Sequence, residues 1–270
     1  MVFNVQGKVA VITGGSAGFG EQLAQRLSAK GCRVVLLDVN AQGGKEVAAA
    51  INKTHGPNTA AFIECNVANL NAFETAFNKA VAVFQRVDIM VNNAGIAERQ
   101  RFIEDPNADW KTVMDIDLYA VIKGTQLALN QFRQQSPHGG VIINVASMAG
   151  FLPDPNMPIY VAAKMGVVGL TRSLSWKLYK TQNVRVNGIA PTFAMTNLGK
   201  FAAQDPAMKK IVEVSTVPVS LVIDAFMRAI EDESLAGDIL RITAQKGIDV
   251  LPKRDMVDVT PVAKKTLAKL

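Results

Sequence analysis

Two hydrophobic rhythms alternate along the chain. One is a short run with nearly every position apolar, as in Val9-Ala-Val-Ile12, which suits a strand covered on both faces. The other sets apolar residues three and four apart, as in Leu23 and Leu27 or Phe73 and Phe77, which suits a helix with one buried side. The runs predict strands over 8–13, 33–38, 60–65, 87–92, 141–147, 184–190 and 238–243. Between them, a helix carrying Leu23 and Leu27 closes at Gly31, where a glycine commonly ends a helix. Further helices are predicted over 41–55, around Leu70 to Val81, from a cap at Asp109 to about Arg133, from Tyr160 to about Lys180, and near 219–232. Residues 191–218 carry no strong period and are expected to form a mobile flap.

Strands alternating with helices at this spacing specify an α/β fold: a doubly wound, parallel, seven-stranded sheet flanked by helices, the Rossmann arrangement. No repeat, low-complexity stretch or linker interrupts it, so one domain over 1–250 is expected, followed by a basic tail over 251–270.

Composition narrows the picture. Hydrophobic residues make up 49% and charged residues 19%, enough for a large core and against disorder. No apolar run reaches the roughly 18 residues of a membrane span, and no secretory signal opens the sequence. Cys32 and Cys65 match no metal spacing and read as reduced core thiols, so no metal is expected. Of the net charge of +6, the tail supplies +3, from five Lys/Arg against Asp255 and Asp258. The body is near neutral, which argues against a nucleic-acid partner.

The chemistry-bearing residues fall at the predicted carboxyl ends of the strands, where such sheets bind ligands. Gly14, Gly18 and Gly20 follow the first strand, where glycines let backbone approach a pyrophosphate at a helix N-terminus. The glycine cluster alone fits a plain tight turn equally well; Asp38, 24 residues after Gly14 and ending strand two, weighs toward a dinucleotide. A carboxylate there can accept the ribose hydroxyls of NAD and repels the 2′-phosphate of NADP. Asn66 stands after strand three, Asn93-Ala-Gly95 after four, Ser147 after five and Pro191 after six. Tyr160 and Lys164, four apart, share one helical face. A tyrosine of ordinary pKa about 10 becomes a better proton shuttle beside a fixed ammonium, and Ser147 could hold the substrate oxygen.

Thr13-Gly14-x-x-x-Gly18-x-Gly20, Asn92-Asn93-Ala94-Gly95, Ser147 and Tyr160-x-x-x-Lys164 stand in the order and spacing of the short-chain dehydrogenase/reductase family, which the chain resembles over about 5–245. The resemblance implies hydride exchange between a nicotinamide and a carbon bearing oxygen. In it Tyr160 is the acid/base, Lys164 lowers its pKa and holds the ribose, and Ser147 orients the substrate. It extends the NAD site to Ser16, Phe19, Val39, Cys65, Val67, Phe193 and Thr196, and it implies a homodimer or homotetramer paired through the helices around 109–133 and 158–180.

A narrower resemblance, to the NAD-linked 15-hydroxyprostaglandin dehydrogenase branch, rests on Ile142-Ile-Asn-Val-Ala-Ser147-Met-Ala-Gly150, Pro158-Ile-Tyr160, Val167-Val-Gly-Leu-Thr-Arg-Ser173 and the ending from Gly237 to Ile248. It implies oxidation of a secondary alcohol on a long acyl chain. Phe151, Leu152, Met157, Phe193, Met195, Leu198 and Phe201 are expected to wall an apolar pocket. Met157 replaces a glutamine that touches substrate in that branch, which points away from a prostaglandin itself.

Other departures are Asp117 for the family's relay asparagine, Thr192 for the glycine after Pro191, and Asn66 for an aspartate. Asp117 is expected to reach Lys164 through water. Two alternatives stand beside the dehydrogenase: a carbonyl reductase of a secondary metabolite, and a non-catalytic NAD-binding protein. The terminal Ala268-Lys269-Leu270 is a variant of the Ser-Lys-Leu peroxisomal address; the alternative location is the cytoplasm.

Overall fold

A computed structural model of the 270-residue chain describes residues 2–98, 102–104, 109–196, 199 and 206–251. The apolar runs form strands β1 (Val9–Thr13), β2 (Arg33–Asp38), β3 (Ala60–Glu64), β4 (Ile89–Asn92), β5 (Gly140–Val145), β6 (Val184–Pro191) and β7 (Ile239–Thr243). These seven pair in parallel in the order β3-β2-β1-β4-β5-β6-β7. An eighth strand, β8 (Gly247–Leu251), runs antiparallel beside β7 and corrects the expected count of seven. Gly247, at φ +65°, allows the tight return. Asp249 interrupts β8 between Ile248 and Val250, and the strand is only partly buried throughout, so it gives no continuous apolar run in the sequence.

Side chains alternate across the strands. Ala10, Ile12, Val34 and Leu36 join one core with helices α1 (Gly18–Ala29) and α2 (Ala41–His55). Val11, Val35 and Leu37 join the other with α3 (Leu70–Phe84). The capping role expected of Asp109 holds: its carboxylate accepts from Thr112 N at 3.1 Å. The helix it opens is α4 (Trp110–Met114), a π turn over Asp115–Tyr119, and α5 (Ala120–Gln134). After it come α6 (Pro158–Gln182), α7 (Pro206–Ser215) and α8 (Val219–Glu231). Helix α7 occupies part of the stretch read as a period-free flap, with proline at its start, a position proline favours.

Cys32 and Cys65 are free, buried thiols. Burial, with Asp88 adding to it, pushes Cys32 up to about 12, and burial with Asp38 pushes Cys65 up to about 11.

Candidate active site

The strand order reverses between β1 and β4, and the carboxyl ends of these strands open a crevice. Gly14, at φ +67°, turns the chain out of β1. A Cβ on Gly14 would lie 2.8 Å from Asn93 Nδ2, and one on Gly20 only 2.1 Å from Gly14 O, so neither position admits a side chain. Asn93 fixes the turn, its Nδ2 donating to Thr13 O at 2.9 Å and to Gly14 O at 3.1 Å. Helix α1 starts at Gly18, and Ala17 offers it no side-chain cap, so its first N–H groups remain available to an anion. Asp38 stands across the turn; its Oδ2 accepts from Ser16 N at 3.0 Å and its Oδ1 from Asn40 N at 2.9 Å.

A second cluster lies at the ends of β4 and β5. Ser147 follows β5, Tyr160 sits in the first turn of α6, and Lys164 one turn further. The Lys164 ammonium lies 5.4 Å from the centre of the Tyr160 ring and donates to Val145 O at 3.0 Å. Asp117, in the π turn, comes within 2.9 Å of Lys164 Nζ by its Oδ1, at angles poorer than a good hydrogen bond's. Its Oδ2 accepts from Ile96 N at 3.2 Å. The contact is direct, which corrects the expectation of a bridging water. Gly95 makes room for it, since a Cβ there would lie 2.7 Å from Asp117 Oδ1.

The electrostatics of this cluster are opposed. Burial lifts Tyr160 above the usual phenol range; Lys164 pulls it down, Asp117 pushes it up, and a hydrogen bond with Ser147 pulls it down, with the lift prevailing. At Lys164 burial works against the ammonium, but Asp117 and Tyr160 together hold its pKa above the ordinary lysine value.

A cavity of about 620 Å³ joins the two clusters, lined by Gly14, Gly18, Phe19, Asp38, Asn93, Gly95, Asp117, Ser147, Met157, Tyr160, Lys164, Pro191, Phe193 and Thr196, among others. Met148, Leu152, Met157 and Phe193 give it apolar wall, and Asp154 a carboxylate. Phe151, expected on that wall, packs instead with Val121, Val167 and Val168. Met195, also expected there, is half exposed and outside the lining. Leu198 and Phe201 lie outside the described residues.

The chain matches the model of the short chain dehydrogenases over residues 8–207. That span carries both clusters. The chain belongs to the short chain dehydrogenase family. Human 15-hydroxyprostaglandin dehydrogenase [NAD(+)] is 34% identical over 97% of this chain and 99% of its own length. A 2-dehydro-3-deoxy-D-gluconate 5-dehydrogenase of Dickeya dadantii is 38% identical over 72% of this chain and 75% of its own. The crystal structure of 3-ketoacyl-(acyl-carrier-protein) reductase from Brucella melitensis, complexed with NADH, superposes with a TM-score of 0.76 at 26% identity, covering 90% of this chain and all (100%) of that one.

Within this dehydrogenase frame some expected cofactor residues stand apart from the cavity. Cys65 and Val67 are buried, Asn66 turns its Oδ1 to Ala68 N, and Val39 is 63% exposed. Ser16 and Gly20 shape the glycine turn without lining the cavity. Two residues gain a visible task. Thr192 Oγ1 donates to Ser215 O at 2.7 Å, tying the end of α7 to the end of β6. Glu98, which the sequence reading passes over, accepts two backbone N–H groups at the start of α6. It lies 61 and 62 residues from them and belongs to no motif, so no local signal points to it.

Proposed function

We propose that this protein is an NAD-dependent oxidoreductase acting on CH–OH groups, which oxidises a secondary alcohol on an elongated, apolar substrate to a ketone. The observation that carries the reading is one cavity holding Asp38 and the glycine turn at one end and Ser147, Tyr160 and Lys164 at the other. The site fits a dinucleotide: the glycine turn would be blocked by any Cβ at Gly14 or Gly20, and the start of α1 is left uncapped. Asp38 would accept the ribose hydroxyls, and Lys164 would hold the second ribose. NAD supplies the hydride acceptor when bound.

The chain's own residues handle the proton. Ser147 Oγ holds the alcohol oxygen, the Tyr160 phenolate takes the hydroxyl proton as the C–H hydride departs, and the Lys164 ammonium steadies the phenolate. Carbonyl reduction uses the same groups in reverse, and the upward shift of Tyr160 favours it near neutrality. Asp38 favours NAD and therefore the oxidative direction.

The substrate class rests on the apolar wall of Met148, Leu152, Met157 and Phe193, and on the prostaglandin-oxidising relatives. A screen of secondary alcohols with NAD and of ketones with NADH tests the reading. kcat/KM should rise from butanol-sized to fatty-acid-sized alcohols; a flat series removes the lipid assignment, and no turnover in either direction removes the enzyme. We further infer one catalytic domain over 1–250, assembled as a homodimer or homotetramer, which light scattering tests. Ala268-Lys269-Leu270 lies outside the described residues and is read as a peroxisomal address; a fluorescent fusion should turn from punctate to diffuse when it is removed.

A further inference from the structure

The helix that carries Tyr160 begins without a cap of its own. Met157 at its N-cap makes no side-chain bond, and Pro158, the first residue, has no N–H. Val161 N is satisfied by Met157 O at 3.0 Å, which leaves the amides of Ile159 and Tyr160 as the orphan donors of the first turn. Both go to a single oxygen from elsewhere in the chain. Glu98 Oε2 accepts from Ile159 N at 2.9 Å and from Tyr160 N at 3.1 Å. A carboxylate there also answers the positive end of a 25-residue helix.

Glu98 sits on the loop after β4, three residues from Gly95. That loop touches each part of the site. Asn93 holds the glycine turn, Ile96 N donates to Asp117, and Glu98 holds the backbone of Tyr160 itself. We propose that Glu98 is a positioning residue: by accepting the Ile159 and Tyr160 amides it fixes the first turn of α6, and with it the tyrosine hydroxyl, against the loop that also seats Asp117. The proposal rests on the reading of Tyr160 as the acid/base. A side chain displaced by about 1 Å from its reacting partner can lose on the order of 100-fold in rate, so a backbone tie at the acid/base residue has large leverage. Among the described residues Glu98 is the side chain that bonds these two amides.

Glu98→Ala removes the acceptor. Glu98→Gln keeps one carbonyl oxygen, which suffices because both amides already share one oxygen. With a secondary alcohol and NAD, E98A should lose at least tenfold in kcat, with the Kd for NAD changed less than twofold, since the glycine turn is held separately. E98Q should recover to within about threefold of wild type. Amide exchange followed by NMR should show Ile159 and Tyr160 protected in wild type and E98Q and fast in E98A, at temperatures where all three are folded. Equal protection in all three proteins overturns the proposal, as does E98A with wild-type kcat, or E98Q as impaired as E98A. If wild type turns over no alcohol, the functional reading falls, while the exchange measurement still decides whether Glu98 holds the helix.

Discussion

Asp117 Oδ1 lies 2.9 Å from Lys164 Nζ, with Asp117 fully buried and Lys164 3% exposed. Burial raises the Asp117 carboxyl while Lys164 and the Ile96 amide pull it down, so its protonation is coupled to that of the whole cluster. Ionised, Asp117 holds the ammonium charged, yet opposes that ammonium's effect at Tyr160. Asp117→Asn removes a group that raises Tyr160, so the phenolate forms at lower pH. Alcohol oxidation needs that phenolate, and the acid limb of its kcat/KM profile should therefore move to lower pH. The same change removes the main support of the Lys164 charge, so activity should also fall away earlier at the alkaline end. The groups titrate as a set, and the shift belongs to the set. A profile unchanged in D117N would take Asp117 out of the mechanism.

Asp38 already spends a lone pair of each oxygen on backbone, through Ser16 N and Asn40 N. It is thereby aimed, with acceptor capacity left over. NAD should bind at least about tenfold more tightly than NADP, about 1.4 kcal/mol. Asp38→Asn keeps the acceptors but removes the repulsion of a 2′-phosphate, so the preference should narrow. Titration of both cofactors against both proteins checks this; equal affinities in the wild type would refute it.

Thr192 replaces a glycine with a clasp. Its hydroxyl donates to Ser215 O, and Val217 N donates to Phe193 O at 2.8 Å beside it. Together they hold the end of α7 over the cavity. Thr192→Val keeps the shape and deletes the bond, worth about 1 kcal/mol, so KM for the alcohol should rise roughly fivefold. The Kd for NAD and the pH profile should stay as they are. Steady-state kinetics of the two proteins measure the difference.

Arg185 is buried at the start of β6, far along the strand from Pro191. Its guanidinium donates to the carbonyls of Ala229 at 3.1 Å, Asp232 at 3.0 Å and Ile230, closing the C-terminus of α8. Arg185→Met keeps apolar volume but removes these charged donors; Asn187 Nδ2 still serves Ala229 O and Leu235 N still serves Asp232 O, while Ile230 O loses its side-chain partner. The expected loss is about 2–4 kcal/mol, against which the removed burial of a cation has already been set. The Tm should fall by roughly 5–15 °C with kcat at 20 °C unchanged, which thermal unfolding beside an activity assay would show.

How far the sequence disclosed these features depended on how local they were. Strands such as Val9–Thr13 were visible because burial on both faces leaves an uninterrupted apolar run. The glycine turn and the pair Tyr160 and Lys164 were visible because their geometry follows from spacing within one turn. The direct contact of Asp117 was not, because it depends on the missing side chain of Gly95 on another strand end. Phe151 escapes local reading for a similar reason: it follows the short 3₁₀ turn Met148–Gly150, and its packing partners Val121, Val167 and Val168 lie on helices apart from its loop. Glu98 left no trace at all, since a side chain that caps a distant helix repeats no pattern. Strand β8 is hidden because Asp249 breaks its apolar run and the strand is only partly buried.

The two cysteines have a practical side. Thiolate, not thiol, reacts with maleimides and peroxides, and with thiols raised to about 12 and about 11 its fraction at neutral pH is well below one in a thousand. Both sulfurs are also packed away from solvent. The native chain is therefore expected to react slowly with thiol reagents. A single cysteine engineered on the outer surface of α7 should take a fluorophore preferentially, and its signal on cofactor addition would report whether that helix changes position.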